Sequence, residues 1–333
     1  MASNNIMNKT KNVIITGANG YIGNCLFHYL KRKYKIIGID KEKSSNKNIL
    51  QCNILDEKKL DLIIKKNKPE IIIHLAAQSL VDETINKKKY YNNNTLATNS
   101  LLKVMKNNNI RKIIFSSTAA VYKQSVNSLI EKSKIKALST YAKTKLICEK
   151  NIQKEKEIKS VILRFFNVCS ALDKPIIGEF HNPETHLIPT IVYKAMFNKK
   201  IYIYGNDFPT PDGTCVRDYI HIKDICDAIE KSTKYLINDK KSTIFNIGSH
   251  KGLSNNEIVN YIKKIIKNKI NLSYVKRRKG DVSRLICNSN QIYKTLNWSA
   301  KNSNLKKIIT NEILWIKKFK KKGLNRTFKN YLK

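Results

Sequence analysis

Five short apolar runs punctuate the first half of the chain: NVIIT (12–16), YKIIGID (34–40), EIIIHLAA (70–77), IRKIIFSS (110–117) and SVILRFFN (160–167). None shows a strict polar–apolar alternation, so each reads as a strand buried on both faces. Between them the period changes. DEKKLDLIIKKN (56–67) and TNSLLKVMKNN (98–108) space their apolar residues as helices do. Strands that alternate with amphipathic helices predict an α/β fold, a doubly wound parallel sheet with helices on both faces.

The texture then breaks. Five of the six prolines fall between 175 and 211, which suits a loop-rich substrate lobe. Regular patterning returns with VRDYIHIKDICDAIEKSTKYL and STIFNIG (242–248), read as rejoining the first sheet. LKKIITNEILWIKKF (305–319) predicts a closing helix with a solvated basic face. The expected organisation is a first domain of residues 11–175 plus 214–248. A smaller α/β C-terminal lobe comprises 176–213 plus 249–320, with tails at 1–10 and 321–333.

With 333 residues, 41% of them hydrophobic, the chain has material for such a core. No window is apolar for long enough to span a membrane, and the opening MASNNIMNKTKN has no apolar leader segment. Seven cysteines are scattered without a CxxC pair, as expected of reduced thiols in a cytoplasmic chain. The net charge of +39 raises nucleic-acid binding. The excess is nearly all lysine, 56 against 8 arginines, and forms no stripe. Together with abundant Asn and Ile it points to coding bias, so no specific nucleic-acid partner is expected. Arginines that persist under such a bias mark places that need a planar fork; Arg164, Arg217, Arg277 and Arg278 are candidates.

Three of the 11 glycines, Gly17, Gly20 and Gly23, lie in GANGYIG, between a predicted strand and a predicted helix. Glycines there permit a tight turn and close approach of backbone to a pyrophosphate, at the positive end of a helix. This is the Rossmann arrangement. Asp40 ends the second strand, where a carboxylate accepts bonds from ribose hydroxyls and repels a 2′-phosphate, favouring NAD over NADP. Asn53 could reach an adenine edge or serve as an ordinary loop residue.

STYAKTK places Tyr141 and Lys145 four positions apart on a predicted helix, hence on one face. FSSTAAVY places Thr118 at the end of the fourth strand, on the ligand side of such a sheet. A nearby ammonium and a cationic nicotinamide would lower the tyrosine pKa from about 10 and make Tyr141 a usable base.

These motifs, with HNPETHLIPTIV, IYGNDFPTPDGTCVRDYIHIKDI and RRKGDVSRLI, make the chain resemble the extended short-chain dehydrogenase/reductases, and within them the UDP-glucose 4-epimerases, over residues 12–316. The resemblance implies that Gly17, Gly20, Tyr21, Ile22 and Gly23 hold the pyrophosphate of NAD and Asp40 its ribose. Asn53, Ile54, Ala76, Ala77, Asn94, Ser116 and Phe166 would line the rest of the cofactor, with Tyr141 and Lys145. It implies that Thr118, Tyr141 and Lys145 are catalytic. A UDP-sugar would meet Thr118, Asn167, Leu187, Tyr202, Tyr204, Arg217, Arg278 and Asp281. It also implies C4 oxidation, rotation of the keto sugar and re-reduction, in a homodimer built on helices near 98–108 and 140–156.

The chain departs from the family pattern at Asn53, where Asp is usual, and at Lys123 and Ser170, where Gly is usual. Leu285 falls near the position that limits bulk at sugar C2. Ala119 and Ala120 lack the carboxylate pair a 4,6-dehydratase would want. Epimerisation of UDP-N-acetylglucosamine or a UDP-uronate stays open, as does a non-catalytic NAD-binding protein. A zinc site at His181, Glu184 and His186 is conceivable, but no metal is expected.

Overall fold

The computed structural model describes residues 11–80, 86–179, 184–268, 270–278 and 281–321. The segments 1–10 and 322–333 of the expected tails, and His181, lie outside them. β1 (Asn12–Thr16), α1 (Tyr21–Leu30) and β2 (Lys35–Asp40) open the chain, followed by β3 (Ile49–Gln51), α2 (Glu57–Asn67) and β4 (Ile71–His74). A continuous helical stretch comprises α3 (Lys87–Tyr90), a π-helical turn (Tyr91–Leu96) and α4 (Ala97–Asn107). β5 (Lys112–Thr118), α5 (Thr140–Lys154) and β6 (Lys159–Phe165) complete the first half.

Three short strands come next: β7 (Asn167–Cys169), β8 (Ala171–Asp173) and β9 (Ile176–Gly178). Then come α6 (Leu187–Met196), β10 (Ile201–Tyr204), β11 (Val216–His221), α7 (Ile222–Ile237) and β12 (Thr243–Ile247). The last part holds β13 (Gly252–Ser254), α8 (Asn255–Ile265), β14 (Leu272–Val275), β15 (Arg284–Leu285), α9 (Asn290–Leu296) and α10 (Leu305–Lys321).

Seven strands form one sheet in the order β12-β6-β5-β4-β1-β2-β3, and every pairing in it is parallel. Both faces are covered, as the unbroken apolar runs require. Val13 and Ile15 of β1 join one buried cluster with α1 and α7, while Ile14 joins the other with α2, α4 and α5. The sheet reverses its direction of growth between β1 and β4, which opens a crevice at the carboxyl ends of these strands. A third cluster, from α6, α8, α10 and β10, forms the core of the C-terminal lobe.

The stretch 214–248 does not return to the sheet as one piece. β12 pairs with β6 and α7 packs on the sheet face, as expected. β11 instead bridges outward: Val216–Asp218 pair with β13 and Val216–Arg217 with β15, while Tyr219–His221 pair with β7. The reason is positional, since β7 continues from the end of β6 and carries β11 past the sheet's carboxyl edge. β3 is also absent from the sequence expectation; three residues are too few for a readable period.

Under the crevice, the imidazole of His74 is buried between Thr16 and Thr98. Thr98 gives its proton to Asn94 O, so His74 Nε2–H donates to Thr98 Oγ1 at 3.1 Å. Thr16 Oγ1 accepts from Ala76 N and donates to His74 Nδ1 at 2.7 Å. Both partners therefore select neutral imidazole. Burial, helped by the Lys145 charge, lowers its pKa to about 3. The unfolded chain takes up a proton here below about pH 6.5 that the folded chain refuses, so this contribution to stability is lost as pH falls from about 6.5 towards 3. Urea midpoints at pH 7 and pH 5 should differ less in a His74→Asn variant than in the parent chain; an equal difference would exclude His74 as a source of acid sensitivity.

Candidate active site

The crevice is a cavity of about 540 Å³, within the range of a cofactor pocket. Its first wall is the turn from β1 into α1. Gly17 adopts φ +71°, and a Cβ there would lie 2.7 Å from Ala76 N. A Cβ on Gly23 would lie 2.0 Å from Gly17 O. The turn therefore packs backbone on backbone. Gly20 precedes α1 and brings no capping side chain, so the first-turn N–H groups are left for an anion. Tyr21 and Ile22 line the same wall, and Tyr21 is fixed by a 2.6 Å bond from its hydroxyl to Ser170 O. Ser170 itself holds φ +76° where the family pattern has glycine. Its hydroxyl donates to Ile308 O at 2.9 Å, tying the strained residue down.

Asp40 ends β2 at the cavity, accepting from Asn19 N at 2.9 Å and Glu42 N at 3.1 Å. Asn53, Ile54, Ala76, Ala77, Ser116 and Phe166 all line the cavity. Asn53 Oδ1 accepts from Leu55 N. Asn94 does not line it: the buried amide sits behind the wall, bonded to Gln78 N at 2.7 Å and Thr144 Oγ1 at 2.9 Å. Its neighbour Asn93 faces the cavity instead, in the π-helical turn. Asn19, Gln78, Ser79 and Ala97 also line it and were not anticipated. Asn19 was legible as part of GANGYIG. The glycine cradle and the carboxylate at the end of β2 fit a dinucleotide with free ribose hydroxyls.

Thr118, Tyr141 and Lys145 meet on the opposite wall. Ser139 caps α5 by accepting from Ala142 N at 3.1 Å, which fixes where the helix begins. Thr118 hydrogen-bonds the Tyr141 phenol. Lys145 is 3% exposed; its Nζ donates to Ser116 O at 2.7 Å and lies 4.6 Å from the Phe115 ring centroid. The lysine is thus turned to the sheet, and the expected lowering of the tyrosine pKa is not what this arrangement gives. Burial pushes Tyr141 up to about 12, against the Thr118 bond, which lowers it. Burial brings Lys145 down to about 8, with Cys148 and Glu149 opposing. Positive charge brought to the phenol is what would make it a base.

The remaining candidates divide. Asn167 lines the cavity and donates to Asp218 O at 3.0 Å. Leu187 opens α6 next to His186, which lines the cavity. Tyr202, Tyr204, Arg217, Arg278 and Asp281 lie outside the cavity lining, in the C-terminal lobe. Arg278 stacks on Tyr204 at 4.0 Å, and Arg217 Nη2 is 3.9 Å from Asp281. The other arginines singled out serve protein carboxylates: Arg164 grips Glu149 and Arg277 grips Asp207. Glu179, Glu184 and His186 bring their donor atoms within 4.8 Å of one another. They form a carboxylate–imidazole cluster, with His186 Nδ1 3.0 Å from Glu184 and 3.2 Å from Glu179.

Residues 13–248 match the NAD dependent epimerase/dehydratase family. The chain is 33% identical over 303 residues to the UDP-glucose 4-epimerase of Rhizobium meliloti, covering 87% of this chain and 92% of that protein. It is similar to the crystal structure of UDP-glucose 4-epimerase from Brucella ovis in complex with NAD, at 30% identity and TM-score 0.87, covering 92% and 98% of the two chains. It is also similar to the Bifidobacterium longum enzyme in complex with NAD+ and UDP, at 27% identity and TM-score 0.85, again over 92% and 98%.

The backbone contact at Gly23 leaves no room for a methyl group. Gly23→Ala should abolish dinucleotide binding in a calorimetric titration with NAD; retained affinity would mean that the cavity's glycine wall is not the binding surface.

Proposed function

The chain belongs to the NAD dependent epimerase/dehydratase family, and from that premise we propose that it interconverts UDP-glucose and UDP-galactose with bound NAD. The observation that carries this reading is the sharing of one cavity by the glycine turn, Asp40, and the Thr118–Tyr141–Lys145 group. A non-catalytic NAD-binding protein has no use for a buried lysine beneath a threonine-bonded tyrosine.

When bound, NAD supplies a hydride acceptor at sugar C4 and returns the hydride, so no net redox change results. Tyr141 takes the proton of the sugar 4-hydroxyl and gives it back on the other face. Thr118, already hydrogen-bonded to the phenol, orients that oxygen. The positive charge of a bound cofactor, with the Lys145 ammonium behind it, would counter the burial that raises the phenol's pKa. Phe166 packs on the nicotinamide side, Asn167 holds the sugar nucleotide and Leu187 belongs to the uridine wall. Arg217 and Arg278 grip the diphosphate, with Tyr202, Tyr204 and Asp281 around the uridine, so that UDP stays anchored while the sugar turns. The separate placement of this cluster in the C-terminal lobe supports such an anchor.

We infer a cytoplasmic enzyme, a reading supported by its buried, reduced cysteines. A homodimer through α4 and α5 belongs to the same reading. Light scattering at micromolar concentration should give twice the chain mass, and a monomer would remove it.

The decisive experiment is a proton NMR time course of the purified chain with UDP-galactose and no added NAD. The UDP-glucose anomeric signal should grow, and Tyr141→Phe should slow it about 10²–10⁴-fold. No conversion, even after NAD is added, would overturn the reading. Conversion of UDP-N-acetylglucosamine or a UDP-uronate alone would transfer it to that sugar.

A further inference from the structure

One buried group behind the reaction centre has no part in the mechanism above. Glu149 lies on α5 one turn beyond Lys145 and two beyond Tyr141, so the three share a helix face. Arg164 Nε donates to Glu149 Oε1 at 3.0 Å and Nη2 to Oε2 at 2.6 Å. The carboxylate also accepts from Ser117 Oγ. Ser117 and Arg164 are cross-strand partners on β5 and β6, one position before Thr118 and Phe165. The exposure of the ion-paired side chains is 2% for Glu149 and 5% for Arg164.

The rest of the guanidinium is also taken. Nη1 donates to Tyr122 Oη at 2.8 Å and Glu131 O at 3.1 Å. Tyr122 in turn donates to Asn246 Oδ1 on β12. The network thus ties the catalytic helix to β5, β6 and β12 directly behind Thr118.

We propose that Glu149 is a positioning residue for the epimerase reaction: clamped by Arg164 and Ser117, it sets the seating of α5 against β5, and its negative charge sustains the ammonium of Lys145. This rests on the function proposed above. Among the described residues, the charged and titratable groups facing Lys145 are few. Tyr141, Cys148 and Glu149 come from its own helix, and His74 from β4 is neutral. Glu149 is the carboxylate among them, and it opposes the effect of burial on Lys145.

Three variants separate charge from geometry. Glu149→Gln keeps the shape and removes the charge. The alkaline limb of the kcat–pH profile should move to lower pH by about one unit, as loss of a neighbouring opposite charge demands. Glu149→Asp keeps the charge and shortens the reach; kcat should fall at least tenfold with the limb in place. Should Glu149→Gln fail to fold beside an unpaired guanidinium, Glu149→Gln/Arg164→Gln is neutral at both sites and should show the same shifted limb.

An unmoved limb in the folded neutral variants overturns the electrostatic role, and an unchanged kcat in Glu149→Asp overturns the positional one. A parent chain that converts no UDP-sugar refutes the function instead. Calorimetric titration with NAD across pH 6–10 then reads Lys145. The midpoint of the fall in affinity with rising pH should lie about one unit lower in Glu149→Gln than in the parent, and an unmoved midpoint overturns the inference.

Discussion

The structure depends on one contact that allows no side chain. Where β1 ends, Gly17 presses on Ala76 at the end of β4, and α1 begins so close behind that Gly23 faces Gly17 O. Strand order fixes the place, because β1 and β4 flank the reversal of the sheet. A side chain at either glycine would push the turn away from the crevice. With backbone against backbone, the helix start, the Asp40 carboxylate and the Ala76–Ala77 floor converge on one volume. Beneath it, Thr16 and His74 join β1 to β4 with neutral hydrogen bonds, so the floor is held without a buried charge.

The opposite wall follows a different rule. There the chain buries charge and then manages it. Lys145 is enclosed by a carbonyl and an aromatic ring. The Glu149–Arg164 pair is enclosed further back, with the guanidinium donors distributed over a carboxylate, a phenol and a carbonyl. Buried ion pairs are poor stabilisers compared with apolar packing of the same volume. Their presence behind Thr118 is therefore better understood through orientation than through stability. The network cross-links α5 to β5, β6 and β12 behind the catalytic wall.

Much of the architecture was legible. Unbroken apolar runs identified the parallel strands, and the glycine spacing identified the turn, because both are local consequences of burial and backbone room. Tyr141 and Lys145 were legible as a pair from helical spacing and the strand before them. Their protonation balance was not, since it depends on where Nζ turns, and only packing decides that it meets Ser116 O. Asn94 was assigned to the cofactor, yet the π-helical turn shifts the register by a fraction of a turn and presents Asn93 instead. β11 was misplaced because pattern reports that a segment is a strand, not which strand it joins. Arg164 was rightly marked as an arginine that lysine could not replace, but its fork serves a protein carboxylate.

All seven cysteines are buried and unpaired, and burial raises the pKa of each. They are spread over α1, α5, β7 and α7, with the rest beside β3, β11 and β15. A thiol in that condition reacts with an alkylating reagent only after its surroundings open. The chain therefore carries a built-in set of clocks. The order in which the seven are labelled would map, without any engineered probe, which parts of the two lobes breathe first.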